Sequence, residues 1–141
     1  TGKYTVSDRV LRAVQAEFSC GFCTDAQGAQ TIGKTFREKQ YLLDTHTAVA
    51  CTVLDAYRSG TGDQTLTVVE STASPFKFCA SVLDALGVAE HAPGTGVLGQ
   101  LTAETGRPAP KPLASLAGKP VRFGQITDKA DMRAVVAEFL R

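Results

Sequence analysis

Most apolar residues of this chain recur at the three-and-four spacing of amphipathic helices. After Ser7-Asp8, the residues Val10, Leu11, Val14 and Phe18 share one face and predict a first helix. A short extended piece, Phe18 to Cys23, follows. Thr24-Asp25-Ala26-Gln27 then has the spacing of a capping box, in which the Thr24 hydroxyl accepts from the Gln27 amide while the Gln27 side chain reaches back. It predicts a helix running to about Tyr41, weakened at Gly28 and Gly33. Asp44 is set to cap a third helix with an apolar stripe of Val49, Ala50, Val53, Leu54 and Tyr57. Ser74 and Pro75 start another, with Cys79, Val82, Leu83 and Leu86 inward and Gly87 as its stop. Residues 87–120 break the rhythm with prolines and glycines and leave room for one short helix between Val97 and Thr105. Thr127-Asp128 caps a last helix whose expected buried side is Met132, Val135, Val136, Phe139 and Leu140.

Two stretches differ. Leu66 to Glu70 is rich in β-formers and apolar on both faces, the signature of a buried strand. Val121 to Phe123 suggests a second, short one. So few strands make no comfortable sheet, because every strand needs neighbours for its backbone groups. The expectation is that Leu66 to Glu70 belongs to a larger sheet whose other strands lie upstream of Thr1. The alternative is that two or three short strands pair within the chain. The start at Thr1, without methionine and inside an apparent loop, agrees with an upstream region.

Composition narrows the class. The 141 residues suit one domain, and 43% apolar residues suit a real core. With 15 basic and 14 acidic side chains, no basic stripe points to nucleic acid. No apolar run is long enough to span a bilayer, so no membrane role is expected. There is no basic-then-apolar leader at the start, and four cysteines are too few for a disulfide scaffold of this size. A reducing, cytoplasmic setting is the expectation. Cys51 and Cys79 fall on apolar helix faces, as small hydrophobes do.

Several motifs compete for chemistry. Cys20-Gly21-Phe22-Cys23 has the spacing of a redox pair or half a zinc site, but Cys51 and Cys79 offer no second pair, so packed cysteines are the simpler reading. A thiol redox domain is therefore a minor hypothesis, and no metal ligand is assigned. Gly94-Thr95-Gly96-Val97-Leu98-Gly99 matches G-x-G-x-x-G without the preceding strand that dinucleotide binding requires, and reads as a turn. Lys77 lies off the apolar face of its helix and reads as solvent-facing. His46, in the first turn after Asp44, is placed to bind or to exchange a proton. Ser71-Thr72 stands apart: two hydroxyls at a strand end, beside a helix start, can hydrogen-bond a ring nitrogen or a small anion.

Two segments carry a resemblance. Tyr41-Leu42-Leu43-Asp44-Thr45-His46-Thr47-Ala48-Val49-Ala50 resembles the "YLLDPHTAVA" segment of threonine synthases, and Ser71-Thr72-Ala73-Ser74-Pro75-Phe76-Lys77-Phe78 resembles their "STAHPAKF" segment. Order and spacing also fit over roughly Tyr4 to Gly87. The resemblance implies the helix-rich carboxy-terminal part of the large domain of a fold type II, pyridoxal-phosphate-dependent α/β enzyme, with few strands in this chain. It implies residues 1–141 as that portion, with 87–120 irregular and 121–141 a terminal strand and helix. The implied reaction converts O-phospho-L-homoserine and water to L-threonine and phosphate.

Thr72 matches the threonine that faces the pyridine nitrogen, with Ser71 beside it as a second cofactor-binding residue. Asp44, His46 and Ser74 match positions near the active site. Thr45 stands where proline is usual, Ser74 where histidine is usual, and Phe76 where a small residue is common. The family's Schiff-base lysine motif and Gly/Asn-rich phosphate loop are not in the chain. No residue here is therefore assigned as catalytic, and the chain alone is expected to be inactive without the upstream part of the same chain. A stand-alone small α/β binding or interaction module is the competing expectation.

Overall fold

A computed structural model describes residues 2–140. Helix α1 spans Asp8–Glu17, α2 Asp25–Lys39 and α3 Thr45–Thr61. A 3-10 turn at Pro75–Lys77 leads into α4, Cys79–Leu86, followed by α5, Gly96–Thr105. The short α6, Lys111–Ala114, and α7, Met132–Phe139, complete the chain.

The starts and stops follow the local chemistry. The Thr24 hydroxyl accepts from the Gln27 amide at 3.3 Å, and the Thr24 amide donates to the Gln27 side chain at 2.8 Å. Gln40, at φ +54°, closes α2, and Arg107 ties its carbonyl at 2.6 Å. Gly87, at φ +90°, ends α4 as only glycine does without strain. The irregular stretch after it is pinned by one side chain: Gln100 of α5 accepts from the Ala92 amide and donates to the Glu90 carbonyl.

The core sits where α2 packs on α3 and α4, and α4 on α5. It consists of Ile32, Leu43, Ala48, Phe76, Cys79, Val82, Leu83 and Leu101. Gly33 permits the tightest approach, because a methyl there would lie 2.6 Å from the backbone oxygen of Ala85. The glycine that weakens α2 by propensity is thus what lets α4 close on it. Burial raises the pKa of both Cys51 and Cys79, consistent with their packing as hydrophobes.

Several expectations need correction. No strand forms among the described residues: Leu66 to Glu70 and Val121 to Phe123 both run without regular structure. Leu66 and Val68 are 93% and 86% exposed. The physical reason is the one the sequence raised, since neither stretch has a partner for its backbone groups and they do not pair with each other. Side chains tether the first stretch instead. Arg58 donates to the Thr65 carbonyl and to the Thr67 hydroxyl, and Asp63 accepts from the Thr65 amide and hydroxyl.

The buried face of α3 also differs. It is Thr47 and Ala48 that are buried, while Val49, Ala50 and Tyr57 are exposed. The rest of the expected stripe, Ala50, Val53, Leu54 and Tyr57, faces a surface groove lined also by Ser19 to Phe22, while Val49 borders a different cleft. The terminal helix forms, but Met132, Val136, Phe139 and Leu140 are exposed rather than buried, as is the apolar face of α1. Among the described residues no helix is long and apolar enough to cross a membrane.

Candidate functional site

The site begins with a helix cap. Asp44 precedes α3, and its carboxylate accepts from the amides of His46 at 2.9 Å and Thr47 at 3.3 Å. These are donors that the first turn of any helix leaves without partners. The same carboxylate accepts from the Thr47 hydroxyl and lies 3.3 Å from Nδ1 of His46. Asp44 is 1% exposed and Thr47 4%. Burial alone pushes the Asp44 carboxyl up, but the hydrogen bonds from the Thr47 hydroxyl, both amides and His46 outweigh it and hold the pKa below the ordinary carboxylate value. Asp44 is therefore an ionised carboxylate whose acceptor sites are occupied, suited to anchoring neighbours and not to removing protons from a ligand.

His46 stands at the edge of this cluster. Its ring packs on Phe78 with centroids 5.0 Å apart, and its side chain is 64% exposed. Its Nδ1 lies within reach of both the Asp44 carboxylate, at 3.3 Å, and the Thr45 hydroxyl, at 3.4 Å. His46 also borders a cleft of about 470 Å³ between the amino ends of α2 and α3 and one side of α4, shared with Cys23, Thr24, Asp25, Ser81 and Asp84.

The second motif meets the first through Thr47. Its hydroxyl donates to that of Ser71 at 3.2 Å, the only side-chain hydrogen bond among the described residues that joins the two segments. Thr72 follows, exposed and with no hydrogen-bond partner among the described residues. Ser74 is committed to local structure, accepting from the Phe76 amide at 3.3 Å to cap the 3-10 turn. Phe76 is buried in the core, while Lys77 is exposed as expected.

The structure thus brings Asp44, His46 and Ser71 into one connected cluster, with Thr72 adjoining it in sequence, and leaves Ser74 as a cap. Neither Thr47 nor Phe78 stands out in the sequence as a site residue. Thr47 had a signal: it is the third residue of a helix capped by Asp44, the position whose amide and side chain meet the cap. Phe78 had none, since its contact with His46 depends on how the 3-10 turn directs the chain. Cys20 is exposed and Cys23 half-buried at the cleft. Among the described residues no group of three or more His, Cys, Asp or Glu is placed to hold a metal ion.

Comparison with known proteins gives this arrangement a context. A family model described as "Threonine synthase, C-terminal" matches residues 47–137, which include Thr47, Ser71, Thr72 and Ser74. Threonine synthase-like 1 of Mus musculus is 33% identical over 82 residues, covering 57% of this chain and 10% of that protein. Threonine synthase-like 1 of Homo sapiens is 28% identical over 87 residues, covering 62% of this chain and 11% of that protein. The chain spans about a tenth of the length of the curated relatives it matches.

Proposed function

This chain belongs to the threonine synthase C-terminal family, and from that premise we propose that it is the carboxy-terminal portion of the large domain of a fold type II, pyridoxal-phosphate-dependent α/β lyase. The intact enzyme converts O-phospho-L-homoserine and water to L-threonine and phosphate in threonine biosynthesis, in the cytoplasm. The observation that supports the reading is the Thr47–Ser71 contact: it joins the two segments that resemble threonine synthases and links Ser71, through Thr47, to the buried Asp44.

The residues present fit one end of pyridoxal phosphate. Thr72 offers an exposed hydroxyl without an internal partner, suited to donating to a pyridine nitrogen. When bound, the cofactor supplies the electron sink for carbanion chemistry. Thr72 would hold the ring nitrogen with a neutral hydroxyl donor. Asp44 fixes the start of α3 and, through Thr47, the position of Ser71. His46 borders the neighbouring cleft beside the cap of α3.

The Schiff-base lysine and the phosphate loop come from the upstream part of the same chain, so this segment alone turns over no substrate. The test is release of phosphate and threonine from O-phosphohomoserine, with pyridoxal phosphate added. The segment is expected to give none. The product of the complete gene is expected to be active and to lose most of that activity on Thr72→Val. Turnover by the segment alone, or unchanged turnover by the Thr72→Val enzyme, would contradict the proposal.

A further inference from the structure

The function proposed above makes no use of Cys20-Gly21-Phe22-Cys23. Its spacing suits two packed cysteines as well as a redox pair, but the structure packs neither into the core. Cys20 is exposed and Cys23 half-buried, whereas Cys79 is a core residue. Burial raises the pKa of Cys51 and Cys79, which keeps them as unreactive thiols. Cys20 stands open to solvent.

The link that carries the pair is free to change shape. Among the described residues no backbone hydrogen bond holds positions 19–23. Phe22 is 91% exposed, and Gly21 has the conformational freedom that a turn between two bridged cysteines requires. On one side of the link α1 buries no residue, while on the other α2 is fixed in the core through Ile32. The two cysteines border different recesses, Cys20 the groove on α3 and Cys23 the cleft beside His46. A disulfide needs its sulfurs about 2 Å apart and its Cα atoms within about 7 Å. Closing one here folds the link into a turn and moves α1 relative to α2.

We propose that Cys20 and Cys23 form a reversible redox modification site, at which a small-molecule disulfide of the glutathione type converts the pair to an intramolecular disulfide and resets the link between α1 and the core. The exposed Cys20 thiolate attacks one sulfur of the external disulfide, forming a mixed disulfide and releasing one thiol. The Cys23 thiolate then attacks the Cys20 sulfur, closing the bridge and expelling the second thiol. The pair gives up two electrons and two protons, and the external disulfide leaves as two thiols. Excess thiol reverses both steps. A transient, redox-sensing bridge is the kind that a reducing compartment tolerates. The inference does not rest on the cofactor reading.

The test is peptide mass spectrometry on the product of the complete gene, treated with glutathione disulfide while folded, then unfolded and alkylated. The peptide holding Cys20 and Cys23 is expected to be lighter by two hydrogens and to carry no alkyl group. Cys51 and Cys79 are expected to be alkylated in full, and dithiothreitol before alkylation to restore both labels on the pair. Cys23→Ser is expected to trap glutathione on Cys20, whereas Cys20→Ser leaves Cys23 largely reduced. Chymotryptic cleavage after Phe22, mapped on the same samples, is expected to slow several-fold on oxidation. A pair that stays reduced, glutathione on both cysteines without a bridge, or a bridge between two copies would overturn the proposal. So would equal oxidation of Cys51 and Cys79, trapping of glutathione on Cys23 before Cys20, or unchanged cleavage after Phe22.

Discussion

Helices α4 and α1 contrast in a way their sequences do not announce. Both carry a clear apolar face. That of α4 is buried, with Val82 and Leu83 fully inaccessible, whereas that of α1 buries no residue and leaves Val10, Leu11 and Val14 all more than 40% exposed. The same holds for α7, whose Met132 and Val136 are each 56% exposed. Amphipathic spacing specifies a helix and the side that seeks cover, but it does not specify the surface that supplies the cover. In α4 that surface is α2, admitted by Gly33, and α5. Among the described residues no comparable surface covers α1 or α7.

The sharpest way to break this comparison is to cut equally at both places. Leu83→Ala should cost about 2–5 kcal/mol of stability, the range for an emptied buried leucine site, whereas Leu11→Ala on α1 should stay within about 0.5 kcal/mol. Urea unfolding of both variants measures the difference, and comparable losses would show that α1 is packed as firmly as the core.

Gly33→Ala sharpens it further. Helix propensity alone predicts a gain of about 1 kcal/mol for that change. The Ala85 backbone oxygen, 2.6 Å from the added methyl, predicts instead a loss of about 1–3 kcal/mol, because backbone cannot yield as a side chain can. The sign of the measured change decides between them.

Asp44→Ala removes a cap with several donors and should cost about 1–2 kcal/mol. Its contribution depends on pH in a stated direction. The folded pKa lies below the unfolded one, so the stabilisation is complete above the ordinary carboxylate range and is lost as pH falls through that range to the folded value. Asp44→Asn should flatten that part of the stability profile, which acid titration followed by circular dichroism would show. The smallest effect is expected at Val136→Ala on α7, within about 0.5 kcal/mol.

What the sequence revealed follows the range of the interactions involved. Local chemistry was legible: the Thr24–Gln27 box, Asp44 as a cap, Gly87 as a stop and the inward residues Cys79, Val82 and Leu83 all stand as the spacing predicted. Non-local pairing was not. Leu66 to Glu70 has strand composition but no neighbour among the described residues, and α3, packed on α2, turns Ala48 into the core and not its most apolar stripe. The site divides likewise. Asp44, His46 and Ser71 were visible as members, but Thr47 as the atom joining them required tertiary contact across 24 residues. Thr31 and Thr52, whose hydroxyls pair at 2.7 Å between α2 and α3, were missed for the same reason.

The central claim is that this chain holds one self-packed unit, α2 to α5, which carries the Asp44 cluster, while α1, residues 63–73 and α7 present surfaces left uncovered. Backbone hydrogen exchange on the chain, resolved residue by residue, tests it most directly. The account predicts slow exchange through the interior of α2, α3 and α4, and exchange near the unprotected rate in α1, α7 and residues 63–73. Protection of α1 and α7 equal to that of α3 would contradict it.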